Sequence, residues 1–197
     1  MSESESRERL LAAAKALMLS QGYAGTTVDS ICEKAGLTKG SFYHFFKSKE
    51  ALGLAVLEWS LLKGGEILRT GPHTAIKDPL QRAFAFMGHV EASAVDLWSN
   101  GCLLGVYASE LAETNDRMQA TVSRMFSEVN TYFVSELAPL AEAADGRLPS
   151  AAELGEQYLT LLEGAIVLAK AYRDPNRIVA ALKGFRSNIE RALGTPV

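Results

Sequence analysis

The chain has 197 residues, 48% of them hydrophobic, enough to bury a core in one or two compact units. Its formal charge is −3, and two cysteines, Cys32 and Cys102, exclude a disulfide framework, while no metal-ligand spacing is present. Abundant Leu, Ala and Glu with only six prolines favour helix over sheet. The polar start MSESESRERL predicts no signal peptide. The most apolar run, AIVLA at 165–169, is far short of a membrane span, so a reduced, cytoplasmic protein is expected.

Residues 1–6 alternate Ser and Glu and are expected as a loose arm. From residue 7 to 20, Leu10, Leu11, Ala14, Leu17 and Met18 fall at helical spacing, and Gly22 supplies a stop. TTVDSICEKAG predicts a short helix, capped by Thr26 or Thr27, with Val28, Ile31 and Cys32 facing inward and Gly36 closing it. Thr38 then caps a second short helix running to about Phe45, and Ser48 a longer one with Glu50 near its start. Two short helices joined by a glycine-containing turn and preceded by a supporting helix form a helix-turn-helix, placed here over residues 1–49.

The second helix of that pair is too short to be stable alone. Phe42, Phe45 and Phe46 serve as its anchors, which leaves Thr38, Lys39, Gly40, Ser41, Tyr43 and His44 to face outward. Beyond it, TGPHTAIKDP (70–79) reads as a loop, and helical patterns follow at 80–95, 101–112, 115–143, 151–172 and 176–193. The sequences SNG, ETND, DGRLPS and RDPN break them. The expectation is an all-α protein of about nine helices, with a larger helical domain over residues 50–197.

Charge is unevenly distributed along the chain. Residues 34–49 hold Lys34, Lys39, Lys47 and Lys49 and no acid, whereas residues 50–197 hold 13 Lys/Arg against 18 Asp/Glu, a balance of −5. Such asymmetry suits a chain of which one end meets a polyanion.

Residues 8–55, with LMLSQGYAGTTVDSICEKAGLTKGSFYHFFKSKEAL, resemble the N-terminal domain of TetR-family transcriptional regulators. The resemblance implies that the second short helix enters the DNA major groove. At the helix N-termini, Thr27 and Thr38 offer hydroxyls and backbone N–H groups to phosphates. Lys39 and Ser41 reach base edges or phosphates, and Gly40 permits close backbone approach. Tyr43 and His44 resemble family positions that brace the DNA backbone, and Lys49 is expected at a phosphate. Lys34 and Lys47 fit a DNA contact or a plain solvated face equally well.

The family likeness further implies a regulator, most commonly a repressor, that binds a pseudo-palindromic operator as a homodimer and is released by a small-molecule or electrophile effector. The last two helices are the expected interface: QYLTLLEGAIVLAKAY offers Gly164 and Ala165 for close approach. IVAALKGFRSNIERAL places Ile178, Leu182, Phe185 and Ile189 on one stripe. Packing within one chain is the alternative for either stripe, and the family likeness favours a four-helix dimer contact. Phe84, Phe86, Met87, Trp98, Leu103, Tyr107, Met125, Phe126 and Tyr158 serve as ordinary core, or together as an aromatic, mostly apolar effector cavity.

GCLLGVYASELA and LLEGAIVLAKAYRDP also resemble a regulator subgroup whose cysteine responds to electrophiles or oxidants. Cys102 then has two readings: a small buried hydrophobe, or a thiolate stabilised by Lys170 should the two helices pack. Cys32 is expected in the core.

No Gly-rich phosphate loop, HExxH, G-x-S-x-G or carboxylate–histidine cluster is present, and His44, His73 and His89 are scattered, so no enzyme and no cofactor is expected. The alternative is an architectural DNA-binding protein without an effector, which a large aromatic-rich second domain disfavours.

Overall fold

The structure, a computed structural model, describes residues 2–194. Among them are nine α-helices and no strand: α1 (Glu3–Gln21), α2 (Val28–Ala35), α3 (Lys39–Phe45), α4 (Lys49–Arg69), α5 (Pro79–Trp98), α6 (Leu103–Leu111), α7 (Asp116–Ala143), α8 (Ala151–Tyr172) and α9 (Asn176–Leu193). The all-α expectation holds, and the loop at 70–79 gains only a 3-10 turn, Pro72–Ala75.

The expected N-terminal arm is instead the first turn of α1. Ser2 and Glu5 form a capping box, and Glu3 and Glu5 sit where the helix dipole favours acids, so the Ser/Glu alternation is a helix start. Met1 lies outside the described residues.

The helices pack as two compact units, Met1–Lys63 with Cys102–Met125, and Gly64–Gly101 with Phe126–Val197. This packing division differs from the functional one drawn at residue 49/50, because α4 runs through that position unbroken and α6 packs with α1. The first unit is centred on Leu10, Leu11, Met18, Ile31, Phe42, Leu52, Val56, Tyr107 and Met118, all with no exposed surface. Each such side chain contributes about 1.5–3 kcal/mol relative to exposure.

The second unit is built around Phe86, Val90, Phe133, Leu137, Tyr158, Ile178 and Leu182. In it α5 and α9 are joined by a charged clasp. Arg186 donates to both oxygens of the buried Glu91, at 2.7 and 3.0 Å, and to Glu190 at 3.0 Å. Paired in this way, the carboxylate escapes the cost of lying uncompensated in the core.

Candidate nucleic-acid interface

Local capping fixes the helix-turn-helix. Thr27, not Thr26, caps α2: its Oγ1 accepts from the Ser30 N–H at 3.1 Å, and Ser30 returns the bond to the Thr27 N–H. Thr26 is buried, its hydroxyl donating to the Gly22 carbonyl at 2.7 Å. Gly36 ends α2 in the left-handed region at φ 63°, ψ 40°, and the Arg9 side chain donates to the Ala35 carbonyl beside it. Two residues on, Thr38 caps α3 by accepting from the Ser41 N–H at 3.1 Å, and Ser48 caps α4 by accepting from the Ala51 N–H at 3.1 Å.

Of the aromatic run, Phe42 and Phe46 are buried and hold α3 down, while Phe45 is half-buried against the His44 ring at 4.8 Å. Thr27, Thr38, Lys39, Gly40, Tyr43 and His44 are exposed and Ser41 is half-buried, so these expected DNA-facing residues share the free surface of the motif. Tyr43 exposes 57% of its surface, which an ordinary core aromatic would not.

Two of these groups are engaged by acids that the sequence does not place near them. Lys39 Nζ lies 2.7 Å from Asp29 of α2, and His44 Nε2 lies 2.6 Å from Glu3 of α1. The hydrogen bond to Asp29 holds the Lys39 ammonium above its ordinary pKa. Both pairs are solvent-exposed, so phosphate oxygens compete with the carboxylates on nearly equal terms.

Lys49 has partners within the fold. Its ammonium donates to the carbonyls of Tyr23 and Thr26, both at 3.0 Å, and stands 4.3 Å above the Tyr23 ring. Burial lowers its pKa, while Glu110 acts in the opposite sense. A phosphate would have to draw this ammonium away from two carbonyls and a ring face. The same turn, between α1 and α2, is gripped from its other side: Glu110 of α6 accepts from the Tyr23 N–H at 3.1 Å and the Ala24 N–H at 2.8 Å. Gly22 adopts φ 82°, and a Cβ there would collide with the Glu110 carboxylate, so only glycine fits. Tyr107, also on α6, packs edge-on to Tyr23 at 5.1 Å and donates to Met18 Sδ at 3.0 Å, burial raising its pKa.

Cys102 is the N-cap residue of α6 and half-buried. Lys15 of α1 interacts electrostatically with Cys102: burial lowers the Lys15 pKa and Cys102 acts in the opposite sense. Of the expected pocket residues, Leu103, Tyr107 and Met125 belong to the first unit, whereas Lys170, Phe84, Phe86, Met87, Trp98, Phe126 and Tyr158 belong to the second. There Lys170 is exposed, Trp98 and Phe126 are half-buried, and Tyr158 is fully buried between Phe133 and Phe185 with its hydroxyl unpartnered. Cys32 is buried, which raises its pKa. Among the described residues no group of three or more His, Cys, Asp or Glu could hold a metal, and no helix is long and apolar enough to cross a membrane.

The acids at positions 3, 29 and 110 and Lys15 went unnoticed in the sequence. A contact across 87 residues, such as Glu110 to Tyr23, leaves no periodic signal.

Comparison with known proteins places this geometry. Residues 10–56 match the model of bacterial regulatory proteins of the tetR family, and residues 72–183 that of the LmrA/YxaF-like transcriptional regulator C-terminal domain. The transcriptional repressor DhaR of Mycobacterium sp. is 27% identical over 175 residues, 88% of this chain and 87% of that one. The repressor NemR of Escherichia coli is 46% identical over 56 residues, 28% of either chain. A solved regulatory protein TetR from Rhodobacter sphaeroides superposes with a TM-score of 0.78 at 25% identity, covering 92% of this chain and 97% of that one. The reduced form of E. coli NemR shares the fold, with a TM-score of 0.72 at 24% identity over 92% and 96% of the two chains.

Proposed function

Starting from a chain that belongs to the TetR family of transcriptional regulators, we propose that it is a repressor of transcription that binds a pseudo-palindromic operator as a homodimer and leaves it when an effector binds. The observation that carries this reading is the exposed face of α3, on which Lys39, Tyr43 and His44 stand together and whose two neighbouring acids, Asp29 and Glu3, are each paired with one of them. Thr27, Thr38, Lys39, Gly40, Ser41, Tyr43 and His44 contact DNA, with the Asp29 and Glu3 pairs exchanged for phosphates. Lys49 takes a different part: it holds the α1–α2 turn to α4, and so sets the angle at which α2 and α3 are presented.

Support for the dimer comes from α8. Val167, Leu168 and Tyr172 expose 65%, 51% and 61% of their surfaces, and Gly164 on the same face has open space beside it. Such an apolar, small-residue face suits a two-fold contact with a second copy. Repression is the mode named for the relatives DhaR and NemR.

For the release step, α6 is the coupling element. It begins after Cys102, in the field of Lys15, and its Glu110 holds the N–H groups of the turn that leads into α2. Modification of the Cys102 thiol or occupation of an effector site shifts α6 and loosens that hold. Fluorescence anisotropy on DNA from upstream of the gene tests the proposal. Wild type binds that DNA in preference to random DNA of equal length, and loss of the preference in Tyr43→Ala with an unchanged melting temperature is the expected result. A protein equally indifferent to both DNAs is an architectural binder.

A further inference from the structure

The 3-10 turn after α4 turns an imidazole inward with nothing to bond to. His73 has no exposed surface, and neither Nδ1 nor Nε2 has a hydrogen-bond partner. The turn's own backbone is satisfied: the Thr74 N–H donates to the Gly71 carbonyl at 3.1 Å and the Ile76 N–H to the His73 carbonyl at 3.0 Å. The lack therefore belongs to the ring alone. A buried polar group without a partner is rare, because desolvation is not repaid, and such groups mark an unseen water or ligand.

The surroundings define what would fit. Phe86 meets the His73 ring edge-on at 5.3 Å and continues into Tyr132 at 5.6 Å, while His89 lies 5.5 Å away at 33°. The neighbouring polar atoms are already engaged: His89 Nε2 donates to the Ile67 carbonyl at 2.8 Å, and the Tyr132 hydroxyl to the Leu68 carbonyl at 3.2 Å. Gly71 lies so close to the His89 ring that a Cβ would overlap it, which fixes that wall. The nest thus offers aromatic edges and one open donor–acceptor pair.

Burial lowers the His73 pKa, with His89 and Arg82 acting in the same sense against Glu136, so the ring is neutral near pH 7. A neutral imidazole carries one N–H and one bare nitrogen, the complement of a hydroxyl that both donates and accepts. Glu136 and Arg82, paired at 3.3 Å, act on the ring in opposite senses and leave no unbalanced charge for an ionic ligand to meet.

We infer that the His73 nest is a polar subsite for the effector, which takes the hydroxyl of a neutral aromatic molecule at the two unbonded nitrogens of His73. This deepens the effector-released reading above and rests on it for its role in regulation.

The test uses the full-length protein with phenol and toluene as probes, in the absence and presence of operator DNA. The chain has three histidines, so ring nitrogen-15 resonances are assignable by single substitution. A site built to hydrogen-bond a hydroxyl rejects the analogue that lacks it. Phenol is expected to shift the His73 ring nitrogens and to bind at least about tenfold more tightly than toluene. In His73→Leu that preference disappears, while the empty protein melts at least as high as wild type. In His73→Gln, which keeps a donor and an acceptor, part of the preference returns. Equal binding of the two probes, no shift at His73, or an intact preference in His73→Leu overturns the subsite and leaves a buried water as its occupant. If phenol binds at His73 as expected and the operator complex is unaffected, the subsite stands and the effector-released reading falls.

Discussion

Replacing Glu110 by Ala isolates the grip of α6 on the helix-turn-helix. The carboxylate accepts two backbone N–H groups, from Tyr23 at 3.1 Å and Ala24 at 2.8 Å. Hydrogen bonds to a charged acceptor contribute about 1.5–3 kcal/mol each. Ala24 is exposed, so water recovers much of its bond after the substitution, whereas Tyr23 is buried and recovers little. A loss of about 2 kcal/mol is expected for the pair, which in a chain of this size lowers the melting temperature by about 4–8 °C.

Binding should suffer as well. If the aligned state of the turn falls to about a tenth of the population, apparent operator affinity falls about tenfold. Glu110→Gln keeps one acceptor oxygen and should lose about half as much. Differential scanning fluorimetry and anisotropy titrations on the same preparations read both effects. A Glu110→Ala protein that melts and binds like wild type would refute the argument, since the Lys49 side of the clamp would then hold the turn unaided.

Lys39→Ala should reduce the slope of log affinity against log salt by about one, because a phosphate contact is lost, whereas Lys49→Met should lower the melting temperature and leave that slope nearly unchanged. Equal slope changes in the two would return Lys49 to the phosphates. Leu168→Glu places a charge on the exposed face of α8 and should convert the dimer to monomer in sedimentation velocity; an unchanged dimer would put the interface elsewhere. Burial depresses the His73 pKa below 6.5 in the folded chain, so below about that pH the unfolded state binds more protons and stability falls with acidification. Urea midpoints at pH 7.5 and 5.5 should therefore drop further in wild type than in His73→Leu, and parallel drops would show that His73 is not held neutral.

The helix-turn-helix was legible because its signals are local. Thr27, Gly36, Thr38 and Ser48 each act within four residues, and of the three expected anchors Phe42 and Phe46 are buried while Phe45 is half-buried. The arm at 1–6 was misread because a Ser/Glu alternation suits both disorder and a capping box, and only the Ser2–Glu5 pairing decides between them. Lys49 shows another limit: a lysine beside a basic helix reads as a phosphate ligand, and the sequence carries no sign of the Tyr23 and Thr26 carbonyls that its ammonium meets in the fold. The partners Glu3, Asp29 and Glu110, and the isolation of His73, depend on tertiary packing and leave no pattern in the chain.

The central claim is that α3 reads DNA as one half of a two-fold symmetric pair. In vitro selection from a randomised duplex library, with wild type and Tyr43→Ala side by side, tests it most directly. Wild type should enrich an inverted repeat whose half-sites lie about one helical turn, 34–36 Å, or a multiple of it apart, and Tyr43→Ala should enrich it weakly or not at all. Recovery of no shared motif by wild type, or of the same motif equally well by Tyr43→Ala, would contradict the account.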